Sequence, residues 1–224
     1  MKLNQLIKFK TMFLGLLVVM AMSACTKEEV KPVLADGKST VVADLPGDIG
    51  NTVGSGKPFT PFYFSLATSA KVDSSEKKTT KWDIAFAKEY NSYISINNGN
   101  NELSFGLGGP GKGALIAVNQ NYDKLTIAPS DEEFAKNGIT AAGWDSGNGN
   151  GWYFYDLNTH IAIPVKNRTY VLRTAEGKFA KLELVSMYKG APAVVTDLTW
   201  PSPYFTFRYY VQQDGSRNLS TKDQ

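Results

Sequence analysis

The segment RTYVLRTAEGKFAKL, residues 168–182, decides the fold class of this chain. Residues 169–173 and 179–185 are rich in β-branched, aromatic and aliphatic residues, which favour strands. Glu176-Gly177-Lys178 stands between them and is typical of a tight turn. The segment therefore predicts a β-hairpin.

Short strand patterns continue on both sides of this hairpin. They are residues 62–66, 81–86, 93–96, 103–105, 114–118, 152–155 and 204–211, and an Asn/Gly turn at 97–101 predicts a second hairpin between 93–96 and 103–105. Only one short helix is predicted, from the capping-box spacing at Ser130 to the stop signal at Asn137-Gly138. Many short strands and one helix predict an all-β, antiparallel fold, in one domain at about 58–214.

The N-terminus has the pattern of a lipoprotein signal peptide over residues 1–24. Three lysines precede the short apolar run 12–22, which is shorter than a membrane-spanning helix. Met22-Ser23-Ala24-Cys25 resembles the lipobox of bacterial lipoproteins, so Cys25, the only cysteine, is the expected lipidation site. The alternative is an ordinary secretory signal followed by an incidental cysteine. A lipidated Cys25 implies a stable anchor in the membrane.

Residues 25–57 are rich in Gly, Pro and charge, and we interpret them as a lipidated, flexible tether. Cys25-Thr26-Lys27-Glu28-Glu29 resembles the export signal of Bacteroidota-type surface lipoproteins. We therefore expect a protein anchored to the outer membrane and exposed at the cell surface. Residues 215–224 are predicted to be a disordered tail.

Charge excludes one class of partner. Three of the 24 basic residues lie in the signal peptide, which leaves 21 basic against 21 acidic residues in the mature chain. Because nucleic-acid binding depends on clustered Lys and Arg, this balance predicts no nucleic-acid partner.

Catalytic patterns are also lacking. Residues 106–112 match the G-x4-G-K part of a phosphate-binding loop, but Gly113 replaces the Ser or Thr that would hold magnesium, and a strand follows. The mature chain has one histidine and no G-x-S-x-G sequence for a nucleophilic serine. We expect no enzymatic activity, although two distant carboxylates could still form a glycosidase pair.

Four segments together resemble the HmuY family of haem-binding surface lipoproteins. They are residues 81–86, the Gly-Lys-Gly-Ala of 111–114, Gly151-Trp-Tyr-Phe-Tyr155, and the hairpin segment 168–182, and their order holds from about residue 60 to 211. The resemblance implies an all-β domain that grips haem between strands and loops. It also implies haem acquisition for a TonB-dependent receptor, with two axial side chains, His or Met, on the iron.

On this resemblance, His160 is the expected axial ligand, and Trp152, Tyr153 and Tyr155 are expected to line the porphyrin. The chain departs from the family in the ligand region, because residues 124–150 contain neither His nor Met. Strand alternation places Met187, the only mature methionine, on the face of Lys181 and Glu183, which disfavours a His160–Met187 pair. Coordination by His160 alone, a Tyr ligand, and loss of haem binding remain open. The competing hypothesis is a non-catalytic surface module for another small ligand, a glycan or a protein.

Overall fold

The computed structural model describes residues 33–222, and the predicted signal peptide and Cys25 lie outside this range. Twelve strands and one α-helix occur among these residues. Their bounds are β1 Thr40–Pro46, β2 Phe62–Ser65, β3 Ala70–Val72, β4 Ile84–Ala87, β5 Tyr93–Ile96, β6 Ala114–Val118, α1 Asp131–Asn137, β7 Ala141–Ala142, β8 Tyr153–Tyr155, β9 Ala162–Pro164, β10 Thr169–Arg173, β11 Phe179–Ser186 and β12 Tyr204–Val211. No helix in this part of the chain is long and apolar enough to span a membrane.

The strands form two five-stranded sheets and a separate two-stranded hairpin. The first sheet has the order β1-β12-β11-β10-β6, the second has the order β3-β2-β4-β5-β7, and β8 pairs with β9. Every strand pair is antiparallel. The prediction of an all-β, antiparallel fold with one short helix is confirmed.

Aromatic side chains from the two sheets meet in one core. Phe86 of the second sheet lies 4.7 Å, ring centre to ring centre, from Phe205 of the first. Phe64 contacts Phe207 edge to face at 5.3 Å. All four side chains are fully buried, and rings in such tilted arrangements gain energy beyond simple area burial. This packing fixes the two sheets face to face and leaves loops at both ends.

The hairpin at 168–182 forms as predicted. Tyr170 pairs with Leu182 and Arg173 with Phe179, and Gly177 takes the positive φ of 89° that the turn requires. The capping box of α1 is also present, because Ser130 Oγ accepts from the Glu133 N–H at 3.2 Å while Glu133 Oε2 accepts from the Ser130 N–H at 2.7 Å.

The predicted hairpin between 93–96 and 103–105 is wrong. Strand β5 pairs with β4 and β7 instead, and residues 103–105 lie in a turn. Ser104 explains the difference, since its hydroxyl donates to the Ile96 carbonyl at 2.7 Å and accepts from the Asn98 and Gly106 N–H groups. These local bonds fold the segment back on itself, so its backbone does not form a ladder with β5.

The folded region begins before residue 58, contrary to the predicted tether. Strand β1 pairs with most of β12, from Thr40 opposite Tyr209 to Pro46 opposite Tyr204. A register shift between Val42 and Leu45 interrupts this edge strand. The flexible-tether interpretation is therefore wrong for residues 40–46, which form a backbone ladder with β12.

Residues 215–222 are packed against the domain, so the prediction of a disordered tail is wrong for them. Leu219 is fully buried, and its N–H donates to the Thr126 carbonyl at 2.7 Å. Thr221 is also buried and accepts a hydrogen bond from Lys181 Nζ at 3.1 Å.

Lys181 lies beneath this C-terminal segment and is itself completely buried. Its ammonium also donates to the carbonyls of Tyr122 and Leu125, at 3.0 and 3.1 Å, and lies 4.3 Å from the Tyr122 ring centre. Burial lowers the pKa of Lys181 to about 8. Buried ammonium groups require such partners, and these join the C-terminal segment and residues 122–125 to strand β11 of the first sheet.

Candidate functional site

The β8–β9 hairpin carries the predicted ligand and forms the candidate site. Its five-residue turn, 156–160, is organised by Asp156, whose carboxylate accepts the Asn158 and Thr159 N–H groups at 2.8 and 3.2 Å. These hydrogen bonds lower the pKa of Asp156. The backbone closes the turn with His160 N–H to Asp156 O at 2.7 Å.

His160 ends this turn and is exposed to solvent. Its φ of 58° lies in the left-handed region, which is uncommon for a non-glycine residue and which clusters at ligand sites. Its Nδ1 lies 3.0 Å from the Tyr155 hydroxyl, and the two ring centres are 5.9 Å apart. The structure therefore brings together two of the four predicted site residues, His160 and Tyr155.

Trp144 extends this pair into a row of three rings. Its ring centre is 6.1 Å from that of Tyr155 in an edge-to-face arrangement, and the residue is 43% exposed. Sequence reasoning missed Trp144, since it lies outside every predicted strand. The available signal was an aromatic residue placed directly before the Asp145-Ser146-Gly147 turn.

The outer face of the same hairpin is apolar and open. Phe154 and Ile163 are cross-strand partners and are 49% and 51% exposed. Leu157, in the turn, is 67% exposed. Contiguous large apolar residues on a surface are typical of contact sites. We call Trp144, Tyr155 and His160 the His160 surface, which is distinct from this outer face.

Trp152 and Tyr153 do not lie on this surface, contrary to the predicted site. Trp152 is 1% exposed, and its indole N–H donates to the Ser92 carbonyl at 2.7 Å. The Tyr153 hydroxyl lies 2.9 Å from Ser92 Oγ, and burial raises the pKa of Tyr153 to about 12. Tyr153 faces the core because alternation along β8 turns Phe154 outward instead, whereas Trp152 precedes the strand and is buried outside this alternation. Trp152 and Tyr153 therefore support the β8–β9 hairpin from its core side.

A buried ion pair fixes the loop that leads into the hairpin. Arg168 and Asp145 are both almost fully buried and are 3.0 Å apart. The guanidinium also donates to the carbonyl of Gly151 and to the side chain of Asn119, at 2.6 and 2.8 Å. These bonds from the Arg168 guanidinium hold residues 145–151 in place, directly before Trp152.

Met187 lies in the core, which corrects the predicted face for this residue. A register shift between Leu184 and Ser186 in the β11–β12 ladder changes the side to which later residues point. Met187 is consequently 5% exposed and packs in the cluster that contains Leu182 and Leu184. Its thioether is therefore not on the His160 surface. Among residues 33–222, no group of three or more His, Cys, Asp or Glu side chains could hold a metal ion.

The family model for HmuY protein matches residues 60–200, which include both sheets' central strands and the β8–β9 hairpin. The chain belongs to the HmuY family. The comparison with curated proteins gives no match.

Solved structures similar to this HmuY-family chain are distant in sequence. The apo HmuY analogue of Tannerella forsythia is 12% identical with a TM-score of 0.45, and the match covers 79% of this chain and 96% of that chain. A Bacteroides vulgatus protein described as HmuY-like and heme-binding is 11% identical with a TM-score of 0.40, over 76% and 89% of the chains. A Bacteroides fragilis protein described as a lipoprotein is 16% identical with a TM-score of 0.36, over 76% and 86%.

Proposed function

We propose that this protein is an outer-membrane surface lipoprotein that binds haem at the His160 surface. One observation carries the proposal: an exposed imidazole in this HmuY-family chain is hydrogen-bonded to a tyrosine and stands in a row of aromatic rings. Imidazole is a common axial ligand of haem iron. The protein would be lipidated at Cys25, would act without catalysis, and would deliver haem to a TonB-dependent receptor.

The Tyr155 hydroxyl supports ligation because it can set the imidazole tautomer. Iron requires a nitrogen lone pair, so one ring nitrogen must be free while the other carries the proton. With the proton on Nδ1, the N–H donates to the Tyr155 oxygen 3.0 Å away and Nε2 is free to bind iron. Ligating histidines are usually oriented by such a partner on the second nitrogen.

The ring neighbours support porphyrin binding as well. A porphyrin is a large apolar plane, and Trp144 offers an exposed aromatic surface adjoining Tyr155. Of the tyrosines predicted to line the porphyrin, Tyr153 is a poor candidate for an anionic ligand, because its raised pKa keeps it neutral. Tyr155 and His160 are the side chains that we assign to the metal end of the site.

Titration of the mature chain with hemin tests this function. We expect a saturable Soret shift with one haem per chain, weakened in His160→Ala. Asn158→Ala is the matched control, because Asn158 lies in the same exposed turn and only its backbone N–H takes part in the Asp156 bonds. A Soret titration that is identical in the wild type and His160→Ala would refute His160 as the ligand. Absence of any shift would refute haem binding itself.

A second function is favoured by the outer face of the hairpin. Phe154 and Ile163 are about half exposed and adjacent, and they face away from the side of β8 that carries Tyr155. A non-catalytic module that contacts a protein or a glycan would use such a surface. If hemin gives no Soret shift, this function is the one that remains.

A further inference from the structure

A cavity of about 450 Å³ lies between the turns of two hairpins, one from each sheet. The loop between β2 and β3 contributes Thr68, and the turn between β10 and β11 contributes Thr174 and Lys178. The β8–β9 hairpin is at the other end of the first sheet, since the Ala162 N–H donates to the hydroxyl of Tyr188, just beyond β11. The eight residues of β11 separate the two ends by roughly 25 Å.

The walls of the cavity are joined by one buried carboxylate. Asp83 is 5% exposed, and its two oxygens accept the N–H groups of Leu66 and Ala175, at 2.7 and 2.9 Å. Leu66 is the first residue of the loop of one hairpin, and Ala175 lies in the turn of the other. Asp83 therefore holds the two turns at a fixed separation, so that the cavity is preformed.

Three lysines contribute to the lining of this cavity. Lys178 Nζ donates to the neutral Gln213 side chain at 3.1 Å. Lys71 Nζ donates to a backbone carbonyl and lies 4.2 Å from the ring centre of Phe62. Lys81 pairs with Glu76, but its side chain is 64% exposed. Ion pairs so exposed to water are weak and exchange readily.

The cavity is lined by three lysines and by two carboxylates, those of Glu176 and Asp83. Glu176 is the exposed acid in its lining, while Asp83 is committed to two backbone bonds and burial raises its pKa. Hydroxyls complete the lining, from Ser65, Thr68, Thr80 and Thr174. The Thr174 oxygen accepts from the Lys178 N–H, which leaves its own hydrogen for a ligand.

From this lining we infer that the cavity binds a small hydroxylated anion, a sugar that carries an acid group. Ammonium groups recognise the acid, and threonine hydroxyls pair with the hydroxyls of the ring. The volume is in the range of sites for small ligands. The lysines and threonines of this lining differ in chemistry from the aromatic His160 surface, so this site is independent of haem binding.

Amide chemical shifts of the full mature chain test the inference. Glucuronate and glucose 6-phosphate are the two probes, and they distinguish a carboxylate from a phosphate. We expect at least one of them to give saturable shifts at Thr68 and Thr174. Glucose, which lacks the acid, and inorganic sulfate, which lacks the hydroxyls, should each bind at least about tenfold more weakly.

Lys178→Gln and Lys71→Gln should each weaken binding of the acid about tenfold, whereas Lys136→Gln on α1 should not change it. All three are conservative changes at side chains outside the core. The inference is overturned if neither acid gives saturable shifts at the cavity. It is also overturned if glucose binds as well as the acids, or if the two cavity variants bind as tightly as Lys136→Gln.

Discussion

Replacing Arg168 by methionine should destabilise this protein far more than removing an exposed lysine from a shorter ion pair. Arg168 and Asp145 are 7% and 2% exposed at the side chain, and they are 3.0 Å apart. In Arg168→Met the apolar chain still fills the space, but Asp145 keeps a buried charge without its cation. The Gly151 carbonyl and the Asn119 side chain also lose a donor. Breaking one side of a buried pair costs about 3–5 kcal/mol.

Lys81→Met is the control for this prediction. The Lys81–Glu76 pair is shorter, at 2.7 Å, but the two side chains are 64% and 31% exposed. An exposed pair contributes about 0–1 kcal/mol, since water already solvates both charges. If distance set the energy, Lys81→Met would be the more damaging change. If burial sets the energy, Arg168→Met is the more damaging of the two changes.

Urea unfolding followed by tryptophan fluorescence measures both variants. We expect Arg168→Met to lose about 3–5 kcal/mol of unfolding free energy and Lys81→Met less than about 1 kcal/mol. Asp145→Asn combined with Arg168→Met should lose less than the sum of the two single changes, because the uncompensated charge is gone. The reasoning is refuted if Arg168→Met lies within 1 kcal/mol of the wild type, or if the double variant is simply additive.

Three further predictions concern the packed C-terminus, the helix and pH. Leu219→Ala should lower the unfolding free energy by about 2–5 kcal/mol in urea titrations, because Leu219 is fully buried, whereas a disordered tail would give no change. Ser130→Ala should cost about 1 kcal/mol by the same measurement, through loss of the cap on α1. Although burial opposes it, hydrogen bonds from Gly147, Arg168 and Gly149 lower the pKa of Asp145 in the folded protein. The contribution of the Asp145 carboxylate to the free energy of unfolding is therefore present above the unfolded pKa of about 3.9, and it is lost as the pH falls through the lower folded pKa. Stability measured from pH 6 to 2 should fall less steeply in Asp145→Asn than in the wild type.

Strands were predictable from sequence where the local pattern and the tertiary pairing agree. Residues 168–182 carry a turn glycine between two apolar runs, and they form the β10–β11 hairpin. Strand β1 carries no such pattern, because an edge strand buries little and its pairing with β12 lies more than 150 residues away in sequence. Leu103–Phe105 had the composition of a strand, but the hydroxyl of Ser104 satisfies the backbone locally.

The candidate site was predictable at His160 and Tyr155 but not around them. The two are close in sequence, and the β8–β9 hairpin brings them together. Trp144 reaches Tyr155 only through a tertiary bridge between residue 144 and β8, which no local pattern encodes. Met187 was placed on the wrong face because strict alternation does not anticipate the register shift in β11.

The way in which the two ends of the molecule are held has a consequence for testing its function. Apolar rings such as Phe86 and Phe205 join the sheets in the middle, while buried polar groups fix the end loops: Asp83 at the cavity, and Arg168 with Asp145 beside the β8–β9 hairpin. The side chains that we assign to ligands, His160 and Lys178, belong to neither set. Their replacement should therefore change ligand binding while the unfolding free energy stays within about 0.5 kcal/mol, as is usual for surface positions. Replacement of Asp83 or Arg168 should alter stability and the adjacent site together. This difference separates a residue that contacts a ligand from one that only positions the loop around it.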